Sequence, residues 1–250
     1  MAFNRKAYPT WLHRLMHLPQ KQGALWPTQC YVCSQWCHDT LCHECELRHL
    51  SSHKACLVCA LESSQLVCAA CLSSPPAWQA SASAVNYVDP WRNLIIGYKF
   101  QEQPELARFF AKLMLANGYL RELVLQSDHL IPVPLSDERL RLRGFNQSLL
   151  LAQRLSPQRC MAQGLLRVRD TPAQAGLSRD MRQANLIHAF AVHPQHVRAL
   201  NGKHLVLVDD VMTTGNTLQA CALALLQAGA AKVSCVTLAR AQSGPLSVTD

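Results

Sequence analysis

The sequence predicts an α/β protein in which a parallel sheet has helices on both faces, preceded by a small cysteine-rich module. Two observations support this prediction: short apolar runs alternate with helical patterns in the second half of the chain, and nine of the 12 cysteines lie between Cys30 and Cys71. Strands that alternate with helices form parallel sheets, because each helix crosses over the sheet to reach the next strand. A chain of 250 residues can hold one substantial core and a small additional domain.

The chain shows neither a membrane span nor a secretion signal. No apolar run approaches the roughly 18 residues of a membrane helix, and the N-terminal segment lacks an apolar core with a cleavage site. We therefore expect a cytoplasmic protein with reduced thiols, in which clustered cysteines indicate a metal rather than disulfides. The predicted organisation is an unassigned segment 1–29, a cysteine module 30–72, a linker 73–80 and an α/β domain 81–250.

Eight cysteines form an internal repeat. Each copy has the spacing C-x2-C-x8-C-x2-C, and the second copy begins 26 residues after the first. Two C-x2-C pairs supply the four tetrahedral thiolates that Zn²⁺ prefers in a structural site. An iron–sulfur cluster, redox pairs and a cross-braced pairing are alternatives, but the equal spacings favour two zinc ions bound sequentially. The predicted ligands are Cys30, Cys33, Cys42 and Cys45 for one ion, and Cys56, Cys59, Cys68 and Cys71 for the other.

The elements of the α/β domain are predicted from the spacing of apolar residues. Short continuous runs are typical of buried parallel strands, whereas a period near 3.6 is typical of helices. The predicted strands are 84–88, 129–133, 205–208 and 233–238, and the predicted helices are 91–123 (with breaks near Pro104 and Gly118), 148–155 and 218–227, the last ended by Gly229.

Two carboxylates and a threonine-rich loop follow the strand predicted at 205–208. Ligands of parallel α/β sheets bind beyond the carboxyl ends of the strands, and the N-terminus of the next helix favours a phosphate. The loop has no lysine and is therefore not a nucleotide P-loop; Asp209 and Asp210 suit the hydroxyls of a ribose whose 5-phosphate lies on the loop. The alternative is simple helix capping, which needs only one such residue. The predicted ligand-binding residues of the loop are Val211, Met212, Thr213, Thr214, Gly215, Asn216 and Thr217.

An arginine-rich segment precedes this loop. Ten arginines stand against two acidic residues between Arg139 and Arg198. Arginine binds phosphate oxygens in a planar, bidentate manner and stabilises the charge of a leaving pyrophosphate; a solvated charged face is the alternative interpretation. Two stretches stand out, namely Ile131-Pro132-Val133-Pro134-Leu135 with the arginines that follow it, and residues 167–190.

These stretches, together with Gly97-Tyr98-Lys99-Phe100 and the loop at 206–217, resemble the ComF family, also called the GntX family. The resemblance spans nearly all of residues 30–240. It implies a type I phosphoribosyltransferase-like fold with a five-stranded parallel core, and Mg²⁺-bound 5-phosphoribosyl-1-pyrophosphate (PRPP) as ligand. It also implies that Asp209 and Asp210 contact the ribose hydroxyls and that residues 167–185 close over the pyrophosphate. The residues it assigns are Arg167, Arg169, Thr171, Gln174 and Arg182 on the closing segment, and Pro134, Arg139, Arg143 and Gln147 after the strand at 129–133.

Two functions stay open, both within the DNA uptake and natural transformation that the resemblance implies. One is transfer of ribose 5-phosphate from PRPP to a nitrogen acceptor that the sequence does not identify. The other is a non-catalytic accessory protein that binds PRPP or single-stranded DNA among the competence and DNA-processing proteins. The basic larger domain, with 18 Lys and Arg against 12 Asp and Glu over residues 76–250, favours nucleic acid, but Phe145 and Phe190 are the only aromatic residues after Tyr119, which argues against base stacking.

Overall fold

The computed structural model describes residues 27–50, 54–101, 103–168 and 189–242, and the chain divides into two compact units between Ser51 and Ser52. The first unit holds the first cysteine repeat. In it, β1 (Thr28–Gln29) pairs antiparallel with β2 (Trp36–Cys37), and α1 (His43–His49) follows. The predicted boundaries of module, linker and larger domain stay predictions.

The second unit contains the second cysteine repeat together with the α/β domain. Among the described residues, every helix is too short or too polar to cross a bilayer. The elements of this unit are α2 (Ala69–Ser73), β3 (Ala80–Asn86), α3 (Trp91–Phe100), α4 (Leu106–Ala116), α5 (Gly118–Gln126), β4 (His129–Pro132), α6 (Asp137–Arg143), α7 (Gln147–Leu155), β5 (Leu165–Arg167), β6 (Phe190–Val192), α8 (Val197–Leu200), β7 (His204–Met212), α9 (Asn216–Gln227) and β8 (Lys232–Arg240).

Four parallel strands form the central sheet, in the order β3-β8-β7-β4. This confirms the predicted α/β fold with a parallel sheet, although the described residues form four of its strands rather than five. The central strand β7 pairs with β8 from His204 to Met212 but with β4 only from Leu205 to Val208. Strands β5 and β6 form a separate antiparallel pair.

The side chains of β7 alternate between two apolar layers, as expected for a strand that is buried on both faces. On one face, Leu205 and Leu207 pack with Leu218 and Leu225 of α9. Helices α4, α5 and α7 cover the other face, where α7 contacts both β4 and β7. Helices lie on both faces of the sheet, as predicted. They do not cover the edge at which the strands end.

Two predicted elements differ from the observed ones. The first strand begins at Ala80 rather than at 84, and the strand predicted to end at Val208 continues to Met212. Aspartate is depleted in strands, but Asp209 pairs with Thr237 of β8 and the backbone ladder continues beyond it. The helical run predicted at 91–123 is three helices, with breaks between Phe100 and Leu106 and at Asn117, close to the predicted positions.

Candidate functional site

The carboxylates Asp209 and Asp210 lie where β7 extends beyond β4. Pro132, the last residue of β4, pairs with Val208, so the two acids have a strand neighbour on the β8 side only. Asp210 is buried, with 7% of its surface exposed, and Asp209 is half-buried. Both therefore lie at the carboxyl edge of the sheet, where α/β proteins bind ligands.

Asp209 is held by hydrogen bonds from two directions. Ser148 Oγ and the backbone N–H of Asp210 both donate to Asp209 Oδ1, each at 2.9 Å. Burial and the neighbouring charge of Asp210 raise the pKa of Asp209 to about 7, against the opposing effect of these hydrogen bonds and of Lys99. A ligand that donates hydroxyl groups therefore stabilises the fully ionised pair.

Two cations face Asp210. Lys99 Nζ lies 2.8 Å from Asp210 Oδ1, and Arg143 Nη1 lies 4.0 Å from Asp210 Oδ2. Burial lowers the pKa of Arg143, and the attraction of Asp210 opposes that shift. The guanidinium of Arg143 also lies 5.0 Å from the ring centroid of Phe100, within the range of a cation–π contact. This edge of the sheet therefore offers carboxylates and cations side by side.

Gln147 begins α7 beside this cluster and is fully buried. Its side-chain oxygen accepts a hydrogen bond from Arg143 Nη1 at 3.1 Å, and its backbone oxygen accepts one from Tyr98 Oη at 3.0 Å. Within the described part of the chain, Gln147 Nε2 has no hydrogen-bond partner. An unpaired buried donor costs about 1–3 kcal/mol, a cost that an acceptor oxygen on a ligand would relieve.

Gly215 turns the chain from β7 into α9. Its φ of +83° lies in the left-handed region, and a Cβ there would lie 3.1 Å from the Trp78 ring, so glycine is required. Thr213 and Thr214 on the same turn are exposed. Thr214 Oγ1 accepts a hydrogen bond from the Asn216 N–H at 3.4 Å, and the N-cap residue Gly215 has no side chain with which to cap α9. A helix N-terminus of this kind favours a phosphate group.

The described residues include three of the predicted arginines, Arg139, Arg143 and Arg167, together with Pro134. Arg143 is brought to Asp210, whereas Arg139 is exposed on α6 and Pro134 is half-buried ahead of that helix. Arg167 ends β5, where its guanidinium lies 5.4 Å from the ring centroid of Phe190. Their roles stay predictions, and the remaining predicted residues of the closing segment, Arg169, Thr171, Gln174 and Arg182, lie outside the described residues.

Both predicted cysteine tetrads are assembled in the structure. Within each tetrad the four Sγ atoms lie within 4.8 Å of one another, and the ligand sets follow the sequential pairing. The Cys33–Cys42 and Cys59–Cys68 Sγ distances are 3.6 and 3.7 Å. A tetrahedral Zn²⁺ with Zn–S bonds near 2.3 Å separates its sulfurs by about 3.8 Å. The two clusters are therefore compatible with zinc.

The two repeats also fold alike. Ser34 and Ala60, each directly after a second cysteine, both have a left-handed backbone, with φ values of 61° and 57°. Burial opposes ionisation of Cys30 and Cys56, but backbone N–H donors outweigh it and lower the pKa of each thiol to about 6. Burial and the neighbouring cysteines raise the pKa of Cys45 and Cys71 in the same tetrads, so four thiols this close together need a bound cation to ionise fully.

Three residues of the site were not among the predicted ones, namely Lys99, Ser148 and Arg240. Lys99 had a signal, since it belongs to the Gly97–Phe100 stretch, and Arg240 had one in its place directly after an apolar strand. Arg240 is buried, and its guanidinium donates to the backbone oxygens of Met212 and Thr213. Beside it, a cleft of about 560 Å³ lies between the second tetrad and the Gly215 turn, with Cys59, Trp78 and Thr214 among its lining residues.

The chain is similar to several known proteins. The family model of the phosphoribosyl transferase domain matches residues 113–249. The DNA utilization protein YhgH of Escherichia coli O6:H1 is 37% identical over 84% of this chain and 89% of its own length. Competence protein F of Haemophilus influenzae is 33% identical over 80% of this chain and 90% of its own length. Competence protein ComFC of Bacillus subtilis is 29% identical over 84% and 83% of the two chains.

A more distant likeness is found among solved structures. The structure of an allosteric regulatory enzyme of purine biosynthesis matches 57% of this chain with 19% identity and a TM-score of 0.37. The match covers only 30% of that enzyme's chain. A likeness of this extent bears on neither fold nor function.

Proposed function

The chain belongs to the ComF family of phosphoribosyl transferase-domain proteins, and on this premise we propose that it binds PRPP with Mg²⁺ and acts in the handling of imported DNA. One observation carries the ligand proposal. Asp209 and Asp210 lie on the part of β7 that extends past β4, and the turn that follows this strand leads through Gly215 into the N-terminus of α9. The site thus combines acceptors for hydroxyl groups with a cradle for a phosphate.

Each part of PRPP has a matching group in this arrangement. The carboxylates suit the neighbouring ribose hydroxyls, and the turn with Thr213 and Thr214 suits the 5-phosphate. Arg143, and Lys99 once it leaves Asp210, suit the pyrophosphate, since both cations lie at this edge of the sheet. Mg²⁺ prefers phosphate oxygens with one or two carboxylates and would neutralise the charge of the pyrophosphate.

Transfer of the phosphoribosyl group is the reaction that this ligand permits. A nitrogen nucleophile forms a bond to the anomeric carbon while the bond from that carbon to the pyrophosphate oxygen breaks, and the nitrogen then loses a proton to solvent. The proposed task of Arg143 is to stabilise the charge that develops on the leaving pyrophosphate. We propose the same task for the predicted arginines Arg167, Arg169 and Arg182.

Calorimetric titration with PRPP, with and without Mg²⁺, tests the proposal. We expect Mg²⁺-dependent binding by the wild type and none by the double variant Asp209→Asn, Asp210→Asn. The matched control is Asp128→Asn, because Asp128 accepts a hydrogen bond from the backbone N–H of His204 at the opposite end of β7. Equal affinity of the wild type and the double variant would overturn the assigned contacts. Binding by the wild type would lead to a screen of nitrogen acceptors for pyrophosphate release.

A second candidate function is direct binding of single-stranded DNA; the E. coli relative is named a DNA utilization protein. The chain has a net charge of +8, and Arg139 and Arg141 are exposed on α6. If DNA binds through its phosphates, the logarithm of the binding constant should fall linearly with the logarithm of the salt concentration. The slope should be about −0.7 per phosphate contact for a single strand. A salt series with Arg139→Gln, Arg141→Gln tests this, and an unchanged slope would exclude α6 as the contact. We propose that either function is exercised in the cytoplasm, where thiols stay reduced and available to a metal.

A further inference from the structure

Arg240 joins the second cysteine tetrad to the Gly215 turn. It ends β8, and only 4% of its surface is exposed. Its Nε donates to the backbone oxygen of Cys59 at 2.8 Å. Its Nη1 donates to the backbone oxygens of Met212 at 2.9 Å and Ala241 at 2.7 Å, and also to that of Thr213. One buried side chain thus holds a metal-ligand residue and the start of the turn in one geometry.

Trp78 makes a second connection between the same two segments. Its Nε1 donates to the backbone oxygen of Val58 at 2.6 Å, and its ring lies against Gly215. Val58 and Cys59 both belong to the first C-x2-C pair of the second tetrad. The carbonyl groups of one metal-binding turn therefore contact both side chains that support the Gly215 turn.

The position of these carbonyl groups depends on the C-x2-C turn. When the two thiolates of the turn bind one ion, the backbone between them is fixed. Without the ion, the four cysteine side chains repel one another and the backbone of the turn is no longer constrained. The guanidinium of arginine presents its donors in a rigid plane, so a shift of the Cys59 carbonyl is transmitted to the other acceptors. Two of those acceptors, Met212 and Thr213, are the last residue of β7 and the residue after it, close to Asp209 and Asp210.

We propose that Arg240 is a positioning residue through which metal in the second tetrad sets the geometry of the phosphate-binding turn, and hence the affinity for PRPP. The inference rests on the proposed function for its ligand, but the conformational coupling itself does not. It gives the second tetrad a role in ligand binding, beyond stabilising its own fold.

The test compares matched variants of the full-length, zinc-loaded protein. Cys68→Ser removes a ligand of the second tetrad and Cys42→Ser its counterpart in the first, while Arg240→Lys keeps the charge and all cysteines. Zinc content, hydrogen exchange of the backbone amides at 211–217, and PRPP affinity by calorimetry are measured for each. The exchange measurement reports on the turn without any ligand.

We expect Cys68→Ser to lose one zinc ion, accelerate exchange at 211–217 and weaken PRPP binding about tenfold, whereas Cys42→Ser loses one ion with neither effect. Arg240→Lys should retain both ions and still reproduce both effects. The double variant Cys68→Ser, Arg240→Lys should be no worse than Cys68→Ser alone, because loss of the ion already releases the connection through Arg240. A merely structural role of Arg240 would make the two losses additive.

The outcomes separate the two proposals. The coupling is overturned if Arg240→Lys leaves hydrogen exchange at 211–217 unchanged, or if the effects are additive in the double variant. If Cys68→Ser does not fold, the exchange measured in Arg240→Lys decides the question alone. Accelerated exchange together with no PRPP binding by the wild type supports the coupling and overturns the proposed function. Accelerated exchange with unchanged PRPP affinity overturns the link between the metal and the ligand.

Discussion

Lys99 of α3 and Asp210 of β7 form a largely buried ion pair, with 2.8 Å between Nζ and Oδ1. The pair holds α3 against the C-terminal end of β7. It also occupies a carboxylate that the proposed ligand needs, so binding must exchange one partner of Asp210 for another. The strength of this pair therefore bears on both stability and ligand affinity.

Lys99→Met should lower the free energy of unfolding by about 3 kcal/mol, because it leaves a buried carboxylate without its nearest cation. The double variant Lys99→Met, Asp210→Asn should recover part of that loss, since the carboxylate without its nearest cation is then removed, while Arg143 loses its carboxylate partner. Urea denaturation of the wild type, the two single variants and the double variant measures the coupling. Strictly additive losses would show that Lys99 does not interact with Asp210 in solution.

Asp209→Asn should change the pH dependence of stability. The pKa of Asp209 in the folded protein, about 7, lies above the ordinary value of 3.8, so the folded state binds a proton more tightly than the unfolded state. The contribution of Asp209 to the free energy of unfolding therefore falls as the pH rises from about 4 to about 7. The ligand-free variant should melt roughly 4 °C above the wild type at pH 8 and close to it at pH 5. Asp137→Asn, at an exposed position on α6, is the control; equal shifts at both pH values would contradict the assignment.

Gly215→Ala should weaken PRPP binding and lower stability by about 2 kcal/mol, because the new methyl group meets a left-handed backbone and the Trp78 ring at once. Gly202→Ala is a matched control, since Gly202 has a φ of +69° with no atom within 4 Å of an added Cβ. The stability lost by Gly202→Ala measures the effect of a left-handed backbone alone, without a contact to the added methyl group. If both variants lose the same stability and keep the same affinity, the contact with Trp78 is unimportant.

The zinc content of the purified protein should be two ions per chain, as measured by atomic emission. Replacing Cys56 and Cys59 with serine should leave one ion, because two thiolates of one tetrad are removed. Cys37→Ser should retain both ions, since the Cys37 thiol donates to the backbone oxygen of Asp39 and lies outside both tetrads. Unchanged zinc after loss of Cys56 and Cys59 would rule out the second site.

Local patterns were sufficient to predict much of this architecture. The 2-8-2 spacing identified both cysteine sets, and the apolar runs at 129–133 and 233–238 identified β4 and β8, because burial on both faces leaves a continuous apolar signature. The end of β7 was placed too early, since the two aspartates look like a loop in sequence and only pairing with β8 keeps them in the strand.

The partners of the site could not be predicted in the same way. Lys99 meets Asp210 because the sheet order brings α3 to the end of β7, and no local pattern reports that proximity. The role of Arg240 depends on burial among carbonyl groups from distant segments, whereas an arginine after a strand ordinarily reaches solvent. Contacts of this kind follow from topology rather than from spacing.

The hydrogen bond from the backbone N–H of Ser81 to the Leu57 oxygen, at 2.7 Å, has a consequence for solubility. Among the strands that the structure describes, β3 is the outermost on its side of the sheet, and Ser81 donates away from β8 to the Cys56–Cys59 turn of the second tetrad. An uncovered strand edge is a template for pairing with another chain. Loss of zinc would therefore expose a self-association surface, so depleted protein should be removed from solution by aggregation as well as by unfolding.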